Sequence, residues 1–409
     1  MKTLEKKMHV KCPAGVRNVL FVEGNSDGTV GGSYFLMLDL IRGLDRSKFK
    51  AIAVFRFENF VADLLRESCI EVLIIPPYQP FVFSRRWMNA IFAPIKKMIN
   101  LVVGFIMPSL AYVGLLRRRQ IDLINLNNSI TRNHPWMIAA LLTSTPCITH
   151  EMGINSTYSL LSRFLGRRLD AIIALSHAIH DAMKTRGADL PNVSVIHCGI
   201  DRRRYQIKMT PGQLRTMYCI PDGVPIIGVV GNIREWKGQE TIVRAVGILS
   251  DHFPTLRCVL VGAATEGDLP YVDRLKSIAS SYGIGERLVF AGFQKNSVDY
   301  MQLMDVVVHT SIQPEPFGIV TLEAMMLGKP LVSTTIGGPA EVVVDGETGL
   351  LVEPGKPDML ASAIASLLND PERAMVLGRN GRERLDAEFS LDKNLALTME
   401  IYDRVLGGG

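Results

Sequence analysis

The stretch Ser311-Ile-Gln-Pro-Glu-Pro-Phe-Gly-Ile-Val-Thr-Leu-Glu-Ala324 follows a short apolar run (Val306–His309), breaks at two prolines and then turns helical. A buried strand that feeds a helix through a tight loop is the repeating unit of a parallel α/β sheet. Pro316 sits where a first helical turn tolerates proline, and Gly318 lets a ligand approach the backbone. The N–H groups of that first turn, helped by the helix dipole, form a natural diphosphate site. Glu315 lies on the loop at its mouth. Glu323, on the second helical turn, could accept hydrogen bonds from a diol. Two carboxylates bracketing an anion site suit a ligand with hydroxyls at both ends and phosphates between them, the layout of a nucleotide sugar.

The same strand-and-helix rhythm runs along almost the whole chain. Strands are expected at Val19–Val22, Ala51–Phe55, Val72–Ile75, Asp122–Leu126, Cys147–Thr149, Ala171–Leu175 and Val193–Ile196. A second series is expected at Ile226–Val230, Arg257–Val261, Leu288–Ala291, Val306–His309, Leu331–Ser333 and Gly349–Val352. Such short apolar runs are strands covered on both faces, so the fold class is α/β with doubly wound parallel sheets and ligands at the carboxyl ends of the strands. The rhythm pauses at Gly199–Gln213, which includes the basic run Asp201-Arg-Arg-Arg204, and restarts at Val224. The expected division is a first domain over 1–205, a second over 206–390, and a C-terminal helix over 391–409 packing back on the first.

The chain has 409 residues, of which 47% are apolar and 21% charged, the make-up of a folded two- or three-domain protein. Its formal net charge of +5 is modest for this length and gives no indication of nucleic acid. The six cysteines include no C-x-x-C pair, which excludes the common zinc and redox patterns and suits a reducing compartment. Met1–Arg17 is polar and basic without an apolar export region, so a cytoplasmic location is expected.

A second cluster, Val230-Gly-Asn-Ile-Arg-Glu-Trp-Lys-Gly238, ends a strand in glycine and opens a helix through a basic loop. Arg234 or Lys237 could neutralise a diphosphate there. Gly31-Gly32 occupy the equivalent turn of the first half, and His150 ends another first-half strand.

Taken together these residues resemble the retaining glycosyltransferases of family 4 (glycosyl transferases group 1), whose GT-B architecture sets two Rossmann-like, doubly wound domains facing each other across a cleft. The family's E-x7-E signature matches Glu315 and Glu323. Gly31-Gly32, Ala174-Leu-Ser-His-Ala-Ile, Val195-Ile-His-Cys-Gly-Ile-Asp201, Gly337-Gly-Pro-Ala-Glu341 and Asp345-Gly-Glu-Thr-Gly-Leu-Leu-Val352 are also similar. The resemblance implies transfer of a sugar from a nucleotide-sugar donor with the anomeric configuration kept. It places Lys237 on the diphosphate, Glu323 on the ribose, the backbone of Phe317, Gly318 and Ile319 on phosphate, Glu315 on hydroxyls of the donor sugar, and His150 near the reacting centre. Preorganised positive charge at the leaving group would be the main catalytic contribution. No Asp-x-Asp pair occurs to hold a divalent ion, and neither a metal nor another cofactor is expected.

One position departs from the pattern. Asn232 stands where the family usually has arginine, and Arg234 is the candidate replacement from the same loop. A glutamate pair around a helix start can also be a dipole partner plus a surface residue, and a lone histidine at a strand end is commonly structural. His177, His180, His197 and His309 are given no role, and Arg202–Arg204 are read as a solvated face. The rival functions are a nucleotide-sugar epimerase of the same architecture and a non-catalytic binding subunit. A dinucleotide-dependent oxidoreductase is disfavoured because no G-x-G-x-x-G follows either first strand.

Between Val72 and Ile121 there is no Asp or Glu, whereas Arg85, Arg86, Lys96, Lys97, Arg117, Arg118 and Arg119 all occur. Met98–Leu116 is mainly apolar and, as a helix, would be roughly 28 Å long. Its basic flanks at both ends argue against a span. It is either a core helix or a segment lying in an anionic membrane surface through residues 85–119, and the missing acids favour the second. The acceptor would then be a lipid-linked sugar or a growing glycan, met at the inner face of the plasma membrane.

Overall fold

The computed structural model describes residues 15–25, 30–79, 81–82 and 92–407. The chain divides into two compact units, each a parallel sheet covered by helices. The first comprises Met1–Ala174, Met183–Ser194 and Leu395–Gly409, and the second Leu175–Ala182 and Val195–Asn394.

The first sheet is built from β1 (Arg17–Glu23), β2 (Phe49–Phe55), β3 (Glu71–Ile74), β4 (Leu123–Asn127), β5 (Cys147–Glu151), β6 (Ala171–Ala174) and β7 (Val193–Val195). Their order is β3-β2-β1-β4-β5-β6-β7, with parallel pairing from β3 through β6. The central strands β4, β5 and β6 are buried at every residue, while the edge strands β3 and β7 are half-buried throughout. That gradient explains why β6 reads as an unbroken apolar run, whereas β4 and β5 also bury Asn125, Asn127, Thr149, His150 and Glu151. The strand order reverses between β1 and β4, so the loops leaving those two strands diverge and open a crevice at their carboxyl ends.

The second sheet contains β8 (Ile226–Val230), β9 (Arg257–Val261), β10 (Leu288–Gly292), β11 (Val306–Val308), β12 (Leu331–Thr334) and β13 (Leu350–Val352). It is fully parallel in the order β10-β9-β8-β11-β12-β13. Its reversal lies between β8 and β11. Ile227, Val246, Leu260, Val308 and Ile364 lie in the core that joins this sheet to its helices.

The division between the units differs from the expected one at 205. Residues from Val195 onward belong to the second unit because Ile200 bridges to Ser390 and His197 pairs with Glu341. The last helix, Leu391–Val405, contributes Leu395 onward to the first unit. There Leu395 packs over Gly43, and Tyr402 meets Phe49 edge-on with ring centroids 5.9 Å apart.

The apolar stretch of the first unit is one continuous helix, Ala93–Arg119, longer at both ends than Met98–Leu116. Pro108 has no N–H to give to Gly104, and its ring would press on that carbonyl. The helix accommodates it by widening to a π turn over Val102–Ile106, with the Met107 N–H bonded to the Val102 carbonyl. One side is anchored: Tyr112 stacks on Trp136 at 3.7 Å, and Phe105 lies 5.7 Å from the His134 ring. Arg85 and Arg86 lie outside the described residues.

Candidate functional site

In the second unit the loops after β8 and β11 flank the reversal of strand order, and each supplies charge. Lys237 sits in a short 3-10 turn, Glu235–Lys237, after β8. Its Nζ donates to Glu315 Oε1 at 2.6 Å and lies 4.6 Å from the Trp236 ring centroid. Glu315, on the loop after β11, is buried rather than open at the mouth. His309 Nε2 donates to the same oxygen at 2.8 Å, and the Ser311 hydroxyl bonds it as well. Burial alone would raise this carboxyl, but His309 and Lys237 outweigh it and hold it at about 2. Glu315 is therefore an anion at any physiological pH, and its Oε2 takes no hydrogen bond among the described residues.

The helix after this loop is Ile319–Met326, starting later than expected, so Pro316 precedes it instead of standing in its first turn. Gly318 is the residue before the helix, with φ +80°, and an added Cβ would stand 2.5 Å from Pro339. Only glycine fits both the left-handed backbone and that contact. Among the described residues no side chain caps this helix, so its first-turn N–H groups are open to an anion. Phe317 is buried against His197 and Phe389, which leaves its backbone rather than its ring to face a ligand. The turn is held from below: the Ser176 hydroxyl donates to the Pro316 carbonyl at 2.6 Å, and the Gly338 N–H to the Glu315 carbonyl at 2.9 Å.

Glu323 is half-buried on the same helix. Desolvation pushes its carboxyl up to about 7, opposed by a hydrogen bond from Tyr205 and the charge of Arg204. The basic run thus is not simply a solvated face. Arg202 forms an ion pair with Asp386 at 2.7 Å, and the residues just after it reach Glu323.

The remaining candidates of this unit divide. Gly231 lies beside the Lys237 side chain, with an added Cβ 3.9 Å from Cε, and Asn232 next to it is exposed. Gln239 fixes the loop by donating to the Asn232 carbonyl at 2.9 Å. Arg234 is drawn to Asp268, 3.6 Å away, so the structure joins Lys237, not Arg234, to Glu315. Ile319 is partly exposed at the helix start. The ligand atoms of His177, His197 and Glu341 lie within 4.8 Å of one another, a spacing a metal ion could use. Glu341, however, already accepts from the backbone N–H groups of His177 and Ala178 and from His197 Nε2 at 2.9 Å. That arrangement caps the helix that begins at His177.

In the first unit Gly31 and Gly32 open the helix Gly32–Gly43, and among the described residues no atom stands within 4 Å of a Cβ added at Gly31. His150 is buried at the end of β5, with Nε2 3.0 Å from Asn125 Oδ1. Burial lowers it to about 4, so it is a neutral imidazole. Beside it two buried acids hold the loop after β4. Glu23 accepts from the Asn25 N–H at 2.9 Å, from Asn127 Nδ2 at 3.0 Å and from Asn128 Nδ2. Glu151 accepts from the Ile130 N–H at 2.5 Å and from Asn155 Nδ2 at 3.2 Å, and desolvation pushes it up to about 7. Between these anchors Asn128 and Ser129 both take positive φ, 67° and 77°.

Sequence reasoning missed His309, Tyr205, Glu23 and Glu151. A signal was present for the acids, since each stands at the carboxyl end of its strand.

Comparison with known proteins agrees with this architecture. Residues 30–204 match the model of Glycosyltransferase Family 4, and residues 214–384 that of Glycosyl transferases group 1. A lipopolysaccharide core biosynthesis mannosyltransferase, LpsB of Rhizobium meliloti, is 28% identical over 60% of this chain and 68% of its own. An N-acetyl-alpha-D-glucosaminyl L-malate synthase of Bacillus anthracis is 28% identical over 62% of this chain and 65% of its own. The crystal structure of HepE from Anabaena in complex with UDP superposes with a TM-score of 0.78 at 25% identity, covering 95% of this chain and all of that one. Two parallel, doubly wound units in this order are the GT-B fold, and the chain belongs to the family 4 glycosyltransferases.

Proposed function

We propose that this glycosyltransferase moves a hexose from a nucleoside diphosphate sugar to a lipid-linked sugar or growing glycan, with retention at the anomeric carbon and without a metal. The observation that carries the reading is the Lys237–Glu315 pair next to an uncapped helix N-terminus at the reversal point of the second sheet. In this reading the donor's diphosphate takes the backbone N–H groups of Phe317 to Ile319, which lead into the helix, and the ammonium of Lys237. Both favour the charge that develops on the leaving group more than the ground state, which lowers the barrier to bond cleavage. Glu315, held ionised by three donors on Oε1, offers Oε2 to hydroxyls of the sugar, and Glu323 receives the ribose diol in place of Tyr205. His150, neutral, is a hydrogen-bonding group for the sugar rather than a proton carrier. The first unit carries the acceptor. UDP is the first base to try, because HepE binds it, and a glycan acceptor accords with the relative that builds lipopolysaccharide core.

The test is a thermal-shift panel of UDP-, GDP-, ADP- and CMP-sugars on the wild type and Glu323→Ala, run with and without EDTA. A ligand at about a hundred times its Kd stabilises by roughly 2.7 kcal/mol, so a true donor is easily seen. A selective shift that the mutant loses and EDTA leaves alone is expected, and NMR of the product then reads the anomeric configuration. No shift with any sugar at millimolar concentration would overturn the donor-site reading. Turnover of the donor unaffected by every acceptor tried would favour the epimerase.

A further inference from the structure

The helix Ala93–Arg119 is long and apolar enough to cross a membrane, yet only 17% of its most apolar window is buried in the protein. A core helix of the same composition would be mostly covered. Its inner side is occupied: Ser109, Tyr112 and Leu116 are buried, and Asn100 receives the Phe81 N–H at 2.7 Å. The opposite side is bare, with Met98, Leu101, Val102, Ile106, Met107 and Leu110 between 39% and 61% exposed. A spanning arrangement is excluded by the Tyr112–Trp136 stack, which would put the sheet's own helix in the hydrocarbon.

A second apolar patch adjoins it. Leu160 is 82% exposed and Phe164 50%, with the Arg168 guanidinium 3.7 Å above the Phe164 ring. The helices that carry the two patches are joined through their inward sides, since Phe105 lies on His134 and His134 Nε2 is 2.9 Å from the Ser162 hydroxyl. Between Met98 and Leu110 the exposed groups of the long helix are aliphatic or methionine, without the aromatic anchors that mark a protein interface. Lys96 and Lys97 stand near one end and Arg117 and Arg118 near the other, in a stretch from Val72 to Ile121 that contains no acid.

We propose that this two-helix face lies flat in the headgroup layer of an anionic bilayer, with the helix axis, roughly 40 Å long, parallel to the surface. Burial of the aliphatic side gives the affinity, and the basic ends select negatively charged lipid. The inference stands apart from the sugar-transfer reading, because none of these residues belongs to the donor site.

The whole protein is sedimented with vesicles of phosphatidylcholine alone and of phosphatidylcholine mixed with phosphatidylglycerol, at low and high salt. Pelleting with the mixed vesicles that weakens in high salt is expected. Val102→Glu with Ile106→Glu, both on the bare side, should weaken binding at least about tenfold, and Lys97→Gln with Arg117→Gln about fivefold per charge at low salt. Near-ultraviolet circular dichroism and the donor thermal shift, read on the same samples, separate loss of docking from loss of fold or of the donor site. Equal recovery in the supernatant with and without vesicles overturns the proposal, as does pelleting of the glutamate variant like wild type. A wild-type dimer that the glutamate variant splits, with no vesicle binding, overturns it in favour of an interface between copies.

Discussion

The two sheets reverse their strand order in the same way, between β1 and β4 and between β8 and β11, but the buried acids nearby are used differently. In the first unit Glu23 and Glu151 accept from backbone N–H groups and asparagine amides. These are fixed, neutral donors, and the result is a loop held at two left-handed residues, Asn128 and Ser129. In the second unit Glu315 is tied to a lysine and a histidine, and the helix start next to it is left uncapped. An amide-bound carboxylate can only hold the backbone. One bound to a flexible ammonium keeps a positive charge in place that an incoming diphosphate can share. The difference separates a staple from a site, although both look like buried carboxylates.

The comparison is broken most directly at Lys237. Lys237→Met should lower kcat/KM by about 10³, or roughly 4 kcal/mol, if its charge stabilises the leaving group. Steady-state donor turnover measures this, and a loss under tenfold would remove Lys237 from the chemistry. Next comes acid stability. The Glu315 carboxyl is depressed from its ordinary 4.5 to about 2, so its contribution is complete above the ordinary value and is lost as pH falls toward 2. The shift corresponds to roughly 3 kcal/mol, which denaturant titrations at stepped pH would show for the wild type and not for Glu315→Gln. Glu151→Ala should cost about 2 kcal/mol, because the Ile130 N–H is left buried and unpaired. The donor-induced thermal shift should survive that change, and its disappearance would show that the first unit's acid is part of the donor site.

Much of this architecture is legible locally. Ile226–Val230 and Arg257–Val261 are apolar, short and bounded by Pro or Gly, and they form strands over those same residues. The meeting of Lys237 with Glu315 is not local, since it depends on β8 and β11 being neighbours. His309 was invisible for the same reason: a single histidine ending a strand has no spacing signal, and its partner is set by the return of the loop. The basic run Arg202–Arg204 read as solvent-facing because Asp201, the acid beside it, pairs with Arg203 and leaves Arg202 and Arg204 for distant acids to claim. Asp386 and Glu323, which do so, lie more than a hundred residues away. The helix Ala93–Arg119 runs past Met98–Leu116 because Lys96, Lys97 and Arg117–Arg119 end the apolar run without ending the helix.

The finest distinction concerns Glu323, which differs from Glu315 in taking a tyrosine hydrogen bond and the charge of Arg204 in place of a lysine and a histidine. Its carboxyl sits at about 7 because partial burial outweighs Tyr205 and Arg204. The protonated form is therefore favoured in the fold, and stability attributable to this proton grows as pH falls from 7 toward 4.5 and disappears above 7. Donor binding should run the other way. A ribose diol gives two hydrogen bonds, and the ionised carboxylate accepts both more strongly than the acid does. The KM for the donor should thus fall severalfold between pH 6 and pH 8, while Glu323→Gln, which cannot ionise, should show a flat profile with a higher KM throughout. Initial rates at saturating acceptor across that range decide it. A profile unchanged by the substitution would assign the titration to another group and leave the ribose contact without support.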